Sequence, residues 1–132
     1  MSPLQYLTEE WRAEAEKRLR AELTPEKMNH ITSSMSNIYL DCSGGGSKYL
    51  LFRFEDGALA EIVLGSGEPP DAEFRITGTY DVFAQISRAE MGAQKALMTG
   101  QLRLKGNMIK ALKLAAIADR LNKVLAGIPA VY

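Results

Sequence analysis

The sequence is poor in residues that form disulfides and metal centres, with one cysteine and one histidine among 132 residues. Cys42 cannot form a disulfide within the chain, and His30 alone cannot supply a Cys/His zinc cluster. No window approaches about 18 uninterrupted apolar residues, and Met1 is not followed by a basic stretch and an apolar run. We therefore expect a soluble, unsecreted, cytoplasmic protein without a metal or cofactor.

A strong net charge is also absent, because 16 basic residues balance 16 acidic ones. This balance argues against a nucleic-acid partner. With 46% hydrophobic and 24% charged residues, the composition fits one compact domain and lacks the signature of disorder. The charge is uneven, however, since residues 91–132 contain seven bases and one acid, Asp119. Such a segment is typical of a surface that docks on an anionic membrane or partner, or of one that pairs with the acidic middle of the chain.

Two helices are predicted before any strand, over residues 1–35. Ser2, followed by proline, is the expected N-cap of the first. Its apolar side is marked by residues that recur at spacings of three and four: Leu4, Leu7, Trp11, Ala15, Leu19 and Leu23. Thr24 is likewise followed by proline, which predicts a second helix that ends near Met35.

Between residues 36 and 106 the apolar period changes to two, which predicts five strands with inserted helices. The first three strands form an antiparallel meander, with the glycine-rich stretch 43–47 and Asp56-Gly57 as its turns. The fourth and fifth strands are predicted over 72–78 and 102–105, and the two helices between them over 80–88 and 93–98.

The same alternation assigns residues to the two sides of each meander strand. Three sets each share one side: Ile38, Leu40 and Cys42; Leu50, Phe52 and Phe54; and Ala60, Ile62 and Leu64. Tyr39, Leu51 and Val63 are expected to be exposed on the second sheet face, where they could form an interface with another subunit.

The last helix, predicted over 107–126 with Asn107 as its cap, is apolar on two sides. One stripe fits a helix packed on a core: Leu114, Ile117, Ala118, Leu121, Val124 and Leu125. Met108, Ile109 and Leu112 point away from that stripe. They are expected to contact a cavity ligand, a membrane or another subunit, unless a second element of the fold covers them.

Candidate catalytic groups are scarce. Cys42 is expected at the end of an alternating strand, where a free cysteine behaves as a small hydrophobe, and nothing brings His30 near it. The stretch 43–47 lacks the Lys-Ser/Thr pair of a phosphate-binding loop and precedes a strand. Arg103 and Lys105 alternate along a strand without interleaved aromatic residues, which argues against nucleic-acid recognition. We expect no catalytic residue, and a thiol enzyme that uses Cys42 is a distant alternative.

Three segments carry a family resemblance: residues 74–83 (FRITGTYDVF), 96–108 (ALMTGQLRLKGNM) and 111–114 (ALKL). Together they resemble the sterol carrier protein 2 family, the nonspecific lipid-transfer proteins, and in particular its small stand-alone prokaryotic members. The resemblance implies an α+β fold in which helices cover one face of a five-stranded, mostly antiparallel sheet. The whole chain, 1–132, would then be one lipid-binding domain.

The resemblance further implies an intracellular carrier that holds a fatty acid, acyl-CoA, phospholipid or isoprenoid in a hydrophobic tunnel without catalysis. The matching positions at the tunnel are Phe74, Ile76, Phe83, Met98, Leu102, Leu104, Met108, Ile109 and Leu112. Lys105, Lys110 and Lys113 are expected to meet lipid headgroups or an anionic membrane at its opening. The alternative is an accessory or scaffold subunit, for instance a homodimer, that presents a lipid-like substrate such as a quinone precursor to partner enzymes.

Overall fold

The structure is a computed structural model that describes residues 2–42 and 44–132. In these residues the chain forms seven strands and five helices. In chain order they are β1 (Leu4–Gln5), α1 (Glu9–Glu22), β2 (Ser33–Leu40), β3 (Lys48–Glu55), β4 (Ala58–Ser66), β5 (Phe74–Thr79), α2 (Tyr80–Ser87), α3 (Ala93–Met98), β6 (Arg103–Lys105), α4 (Met108–Lys113), α5 (Ala115–Ala126) and β7 (Ala130–Val131).

Five of the strands form a mixed sheet in the order β4-β3-β2-β5-β6. The pairs β2–β3 and β3–β4 are the predicted antiparallel meander, although Ser43 of its first turn lies outside the described residues. β5 runs parallel to β2, and β6 pairs antiparallel with β5. On one face α1 packs against β4, α2 against β2 and β5, and α5 against the other helices. The predicted α+β fold, with a mostly antiparallel sheet covered on one face by helices, is confirmed.

Alternation predicts the faces of β3 correctly, and on β4 it is right for Ile62 and Leu64 but wrong for Ala60. Leu50, Phe52 and Phe54 of β3 are all buried in the core under the helices. On β4 the pairing shifts by one residue at a β-bulge, where Phe54 pairs with Leu59 and Ala60 has no partner. The bulge therefore turns Leu59 into the core and leaves Ala60 exposed, contrary to the predicted alternation.

The predicted sides of β2 are wrong. Pairing with β3 sets Asn37 opposite Leu50, so it is the odd-numbered residues of β2 that face the helices. Tyr39 is 1% exposed and belongs to the core, whereas Leu40 is 40% exposed. Leu51 is also buried, on the opposite sheet face from Tyr39. Tyr39, Leu51 and Val63 consequently do not form the shared exposed surface that was expected as an interface.

The first helix begins later than predicted because the N-terminal residues pair with the end of the chain. The Leu4 N–H donates to the Pro129 carbonyl oxygen at 3.0 Å, and β1 runs parallel to β7. α1 then begins at Glu9, and its N-cap is Thr8 instead of Ser2. The predicted apolar side is confirmed in its central part, since Trp11, Ala15 and Leu19 are buried.

The second N-terminal helix, predicted to end near Met35, does not form. Residues 25–30 make successive turns, in which the His30 N–H donates to the Pro25 carbonyl oxygen at 2.9 Å. Asn29 and His30 have φ angles of 52° and 50°, which ends any right-handed helix there. Met35 lies instead in β2, opposite Phe52, because pairing in the sheet core outweighs the local cap signal.

The last helix, predicted as continuous over 107–126, is two helices. Asn107 is the N-cap of α4 as predicted, and its Oδ1 accepts from the Lys110 N–H at 3.1 Å. The chain changes direction at Leu114, which has φ −94° and ψ 0°. α5 then packs Ile117, Leu121 and Leu125 into the core, whereas no described side chain of α4 is buried. None of the described helices is long and apolar enough to cross a membrane.

Candidate functional site

A cavity of about 500 Å³ lies between the helix-side face of the sheet and helices α2 to α5. Strands β2, β5 and β6 form its floor, and α3, α4 and α5 lie over it. Its lining is almost entirely apolar and includes Met28 and Ile31 from the segment before β2. The volume is in the range of about 300–1,000 Å³ that is typical of small-molecule sites. The arrangement suits a ligand with a large apolar body.

Eight of the nine residues expected at the tunnel line this cavity: Phe74, Ile76, Phe83, Met98, Leu102, Leu104, Met108 and Leu112. Ile109, the ninth, does not line it and is 69% exposed on α4. β5 contributes Phe74 and Ile76 because alternate residues share one face of a strand. Gly78 on the same strand leaves room for Leu102, since a Cβ at Gly78 would lie 2.5 Å from the Leu102 Cδ2. That these residues contact a ligand stays a prediction.

The cavity opens beside exposed apolar side chains on α3 and α4. Met98 is 77% exposed, Met108 51% and Leu112 53%, and all three also line the cavity. Large apolar side chains at this exposure are unfavourable in water unless something covers them part of the time. We call Met98, Met108 and Leu112 the apolar rim. Because these side chains both line the cavity and reach solvent, the cavity wall is in contact with solvent at the apolar rim.

Comparison with known proteins identifies the fold family. The SCP-2 sterol transfer family matches residues 12–119, which include every strand of the five-stranded sheet and most of the cavity wall. The chain belongs to this family. Its members bind or transfer lipids. The resemblance inferred from residues 74–114 is therefore confirmed.

Two solved structures share the SCP-2 fold over nearly the whole chain. A crystal structure of sterol carrier protein 2 superposes with a TM-score of 0.82 at 22% identity, and covers 94% of this chain and 99% of that one. A solution structure of a conserved hypothetical protein from Thermus thermophilus gives 0.81 at 21% identity, with 99% and 94% covered. At these identities the likeness establishes the fold.

A curated relative carries the SCP-2 domain within a longer protein. Hydroxysteroid dehydrogenase-like protein 2 of Homo sapiens is 31% identical over 96 residues. The match covers 70% of this chain and 22% of the relative, so the chain spans about a fifth of that protein's length.

In this SCP-2 family member an ion pair holds α4 against the sheet. The Lys110 Nζ lies 2.6 Å from the Glu73 Oε2, and the Ser33 hydroxyl donates to the other oxygen of the same carboxylate. The hydrogen bond from Lys110, followed by that from Ser33, lowers the pKa of the Glu73 carboxyl. Lys110, expected at the headgroup, is thus engaged within the protein. Lys105 and Lys113 are exposed, and their docking role stays a prediction.

Polar residues of the SCP-2 cavity wall were missed by the sequence analysis. In the part of the chain that the structure describes, the wall contains one charged residue, Asp119. It also contains three amide side chains, those of Asn37, Gln94 and Asn122. Asn37 is buried; its Nδ2 donates to the Tyr39 hydroxyl at 3.4 Å, while its Oδ1 has no partner. Burial raises the pKa of Tyr39 to about 12, so the phenol is protonated at neutral pH. No local motif marks these positions, because only the fold brings them to one wall.

Proposed function

We propose that this protein carries a lipid in the 500 Å³ cavity and releases it through the apolar rim, without catalysis, in the cytoplasm. The observation that carries the proposal is a cavity with an almost wholly apolar wall in a member of the SCP-2 family. A fatty acid, acyl-CoA, phospholipid or isoprenoid each supplies an apolar chain of suitable size. Binding would then be sequestration of that chain from water.

The affinity expected from such a cavity is micromolar. Each methylene moved out of water contributes about 0.8 kcal/mol, or roughly 12 kcal/mol for a sixteen-carbon chain that is fully enclosed. Lost motion on association costs at least about 4 kcal/mol. At most roughly 8 kcal/mol then remains, which corresponds to a micromolar Kd as the tightest binding expected.

The residues around the cavity favour lipid carriage over a catalytic function. Among the described residues, the wall includes no Cys, His, Lys or Arg, and Asp119 is its one acid. Cys42 is buried, and its Sγ donates to the Tyr39 carbonyl oxygen at 3.5 Å. His30 is exposed beside Asp56, on the surface turn before β2. These side chains do not assemble a nucleophile with a base at the cavity.

Native mass spectrometry of protein purified without detergent tests the proposal. We expect a fraction of the molecules to retain a lipid, seen as a mass increment that collision releases, and the emptied protein to bind added hexadecanoate or hexadecanol. A stable oligomer that neither retains nor binds any lipid would contradict carriage. That result would favour the accessory or scaffold role, in which a partner enzyme holds the lipid-like substrate.

Docking on an anionic membrane is expected to depend on Lys105 and Lys113. Both are exposed, on β6 and α4, and each lies within three residues of Met108 or Leu112 of the apolar rim along the chain. Each base near an anionic bilayer contributes about 1 kcal/mol, so Lys105→Glu/Lys113→Glu should slow lipid transfer to anionic vesicles by roughly tenfold or more. Transfer to neutral vesicles and equilibrium lipid affinity should stay within about twofold.

The control for this prediction is Lys17→Glu, an exposed lysine on α1 far along the chain from the rim. Transfer is measured by the loss of quenching of a fluorescent lipid at low and high salt. If transfer from the wild-type protein does not respond to salt, or if Lys17→Glu slows it equally, the docking assignment is wrong.

A further inference from the structure

One charged side chain in the cavity wall has no hydrogen-bond or ion-pair partner among the described residues. Asp119 and Asn122 both line the 500 Å³ cavity and are half-buried on α5. In the part of the chain that the structure describes, neither side chain makes a hydrogen bond or an ion pair. Lys123 lies one turn after Asp119 but does not pair with it. A partly buried carboxylate that has no partner within the protein can accept a hydrogen bond from a bound ligand.

The two residues also line a second, smaller cavity. This cavity of about 290 Å³ lies against α5 and the segment between α2 and α3. It shares four lining residues with the main cavity: Ile86, Ala93, Asp119 and Asn122. These side chains lie between the two spaces. Asp119 and Asn122 thus form a polar part of the wall that the two cavities share, on α5 and apart from the apolar rim of α3 and α4.

We propose that Asp119 and Asn122 bind the polar end of the lipid, and that this polar end is a hydroxyl group. The proposal rests on the carrier function and specifies its ligand class. A carboxylate only accepts hydrogen bonds, while an amide also donates, so one hydroxyl can donate to Asp119 and accept from the Asn122 Nδ2. Residues three apart on a helix have Cβ atoms about 5–6 Å apart, which allows one oxygen atom to bridge them.

The same pair disfavours other headgroups. A fatty-acid carboxylate would face the like charge of Asp119 at a half-buried position, where water screens it incompletely. An ester accepts hydrogen bonds but cannot donate one to the carboxylate. Lys123, which could attract an anion, lines only the smaller outer cavity and is exposed. The wall of the main cavity therefore selects against the anionic heads that the basic C-terminal segment would otherwise attract.

Competition among three matched lipids tests this proposal. An equimolar mixture of 1-hexadecanol, hexadecanoate and methyl hexadecanoate is added to delipidated protein at pH 7.5, and the complexes are counted by native mass spectrometry. A hydrogen bond to a charged group that is lost or left unmade corresponds to about tenfold or more. The wild-type protein should therefore bind the alcohol about tenfold better than either competitor.

Asp119→Asn is the decisive variant because it keeps the shape and removes the charge. We expect its preference for the alcohol to fall severalfold, its affinity for hexadecanoate to rise about tenfold, and its affinity for the ester to stay within about twofold. Asn122→Leu should lose the alcohol preference while still binding the ester. Asp81→Asn, an exposed acid on α2 outside both cavities, should match the wild-type protein.

The outcomes separate this proposal from the carrier function. If the wild-type protein binds none of the three lipids, carriage itself is wrong. If it binds all three equally, or binds hexadecanoate best, the protein is a carrier but the hydroxyl site is wrong. An alcohol preference that survives both Asp119→Asn and Asn122→Leu also overturns the site.

Discussion

Replacing Leu112 by glutamate is expected to weaken binding of a sixteen-carbon lipid by more than about tenfold. Leu112 lines the cavity and is 53% exposed at its apolar rim, so the fold does not depend on it. Leu112 is already about half buried, so a bound chain that covers the rest of it gains about half the value for full burial, roughly 0.8–1.5 kcal/mol. A glutamate there loses that gain and must also give up water when the chain enters. The expected loss therefore exceeds one power of ten in affinity, with an unchanged circular dichroism spectrum.

The matched control is Ile109→Glu. Ile109 lies on the same short helix, three residues away, and is more exposed than Leu112, at 69%. It does not line the cavity. Both variants add one negative charge to α4, so only contact with the ligand distinguishes them. Direct titration with a fluorescent fatty acid should place Ile109→Glu within about threefold of the wild-type protein. Equal losses in the two variants would show that charge on α4, rather than the cavity wall, controls binding.

The contrast between these two residues also shows where sequence reasoning reached its limit at the site. The periodicity groups Met108, Ile109 and Leu112 because all three point away from the core stripe of one continuous predicted helix. The chain bends at Leu114, so α4 takes a direction of its own. Met108 and Leu112, four residues apart, share the face over the cavity, while Ile109 lies about 100° further round. A bend without proline or glycine leaves no signal in the periodicity.

Errors in the fold follow from contacts between residues distant in sequence. Ser2 has every local feature of a helix cap, yet Leu4 pairs with residues at the end of the chain, which no local pattern encodes. Met35 suits the apolar side of a helix and equally the inner face of β2, and pairing with Phe52 and Phe74 decides between them. The segments predicted correctly, from β5 through α3, have caps or turns that agree with their tertiary packing.

For Asp119 the sequence shows the charge of the side chain but not its position in the fold. Asp119 is the one acid among seven bases in residues 91–132, so the segment as a whole predicts a basic surface. The fold places that acid in the cavity wall, while Lys110 pairs with Glu73, and Lys105 and Lys113 are exposed. Net charge over a segment predicts the surface potential. It does not predict which member of the segment faces the interior.

Replacing Trp11 by alanine is expected to cause the largest loss of stability, about 3–5 kcal/mol. Trp11 is 0% exposed on α1, and its ring packs edge-on to Tyr6 with centroids 4.9 Å apart. Tyr6, near the start of the chain, in turn contacts Tyr39, Tyr80 and Tyr132. The Tyr6 ring therefore connects α1 to the sheet, to α2 and to the end of the chain. Alanine would leave a cavity where these elements meet, and the surrounding rings could fill it only in part.

Trp11→Phe separates packing from hydrogen bonding at this position. The indole Nε1 is buried without a hydrogen-bond partner, so phenylalanine removes an unsatisfied donor together with part of the ring. We expect its cost to be about 1–2 kcal/mol, well below that of alanine, because most of the aromatic packing remains. Urea unfolding followed by circular dichroism measures both variants, since Trp11 is the one tryptophan and fluorescence is lost with it. Equal destabilisation by alanine and phenylalanine would mean that the indole itself, through an interaction its orphan N–H does not reveal, holds α1 in place.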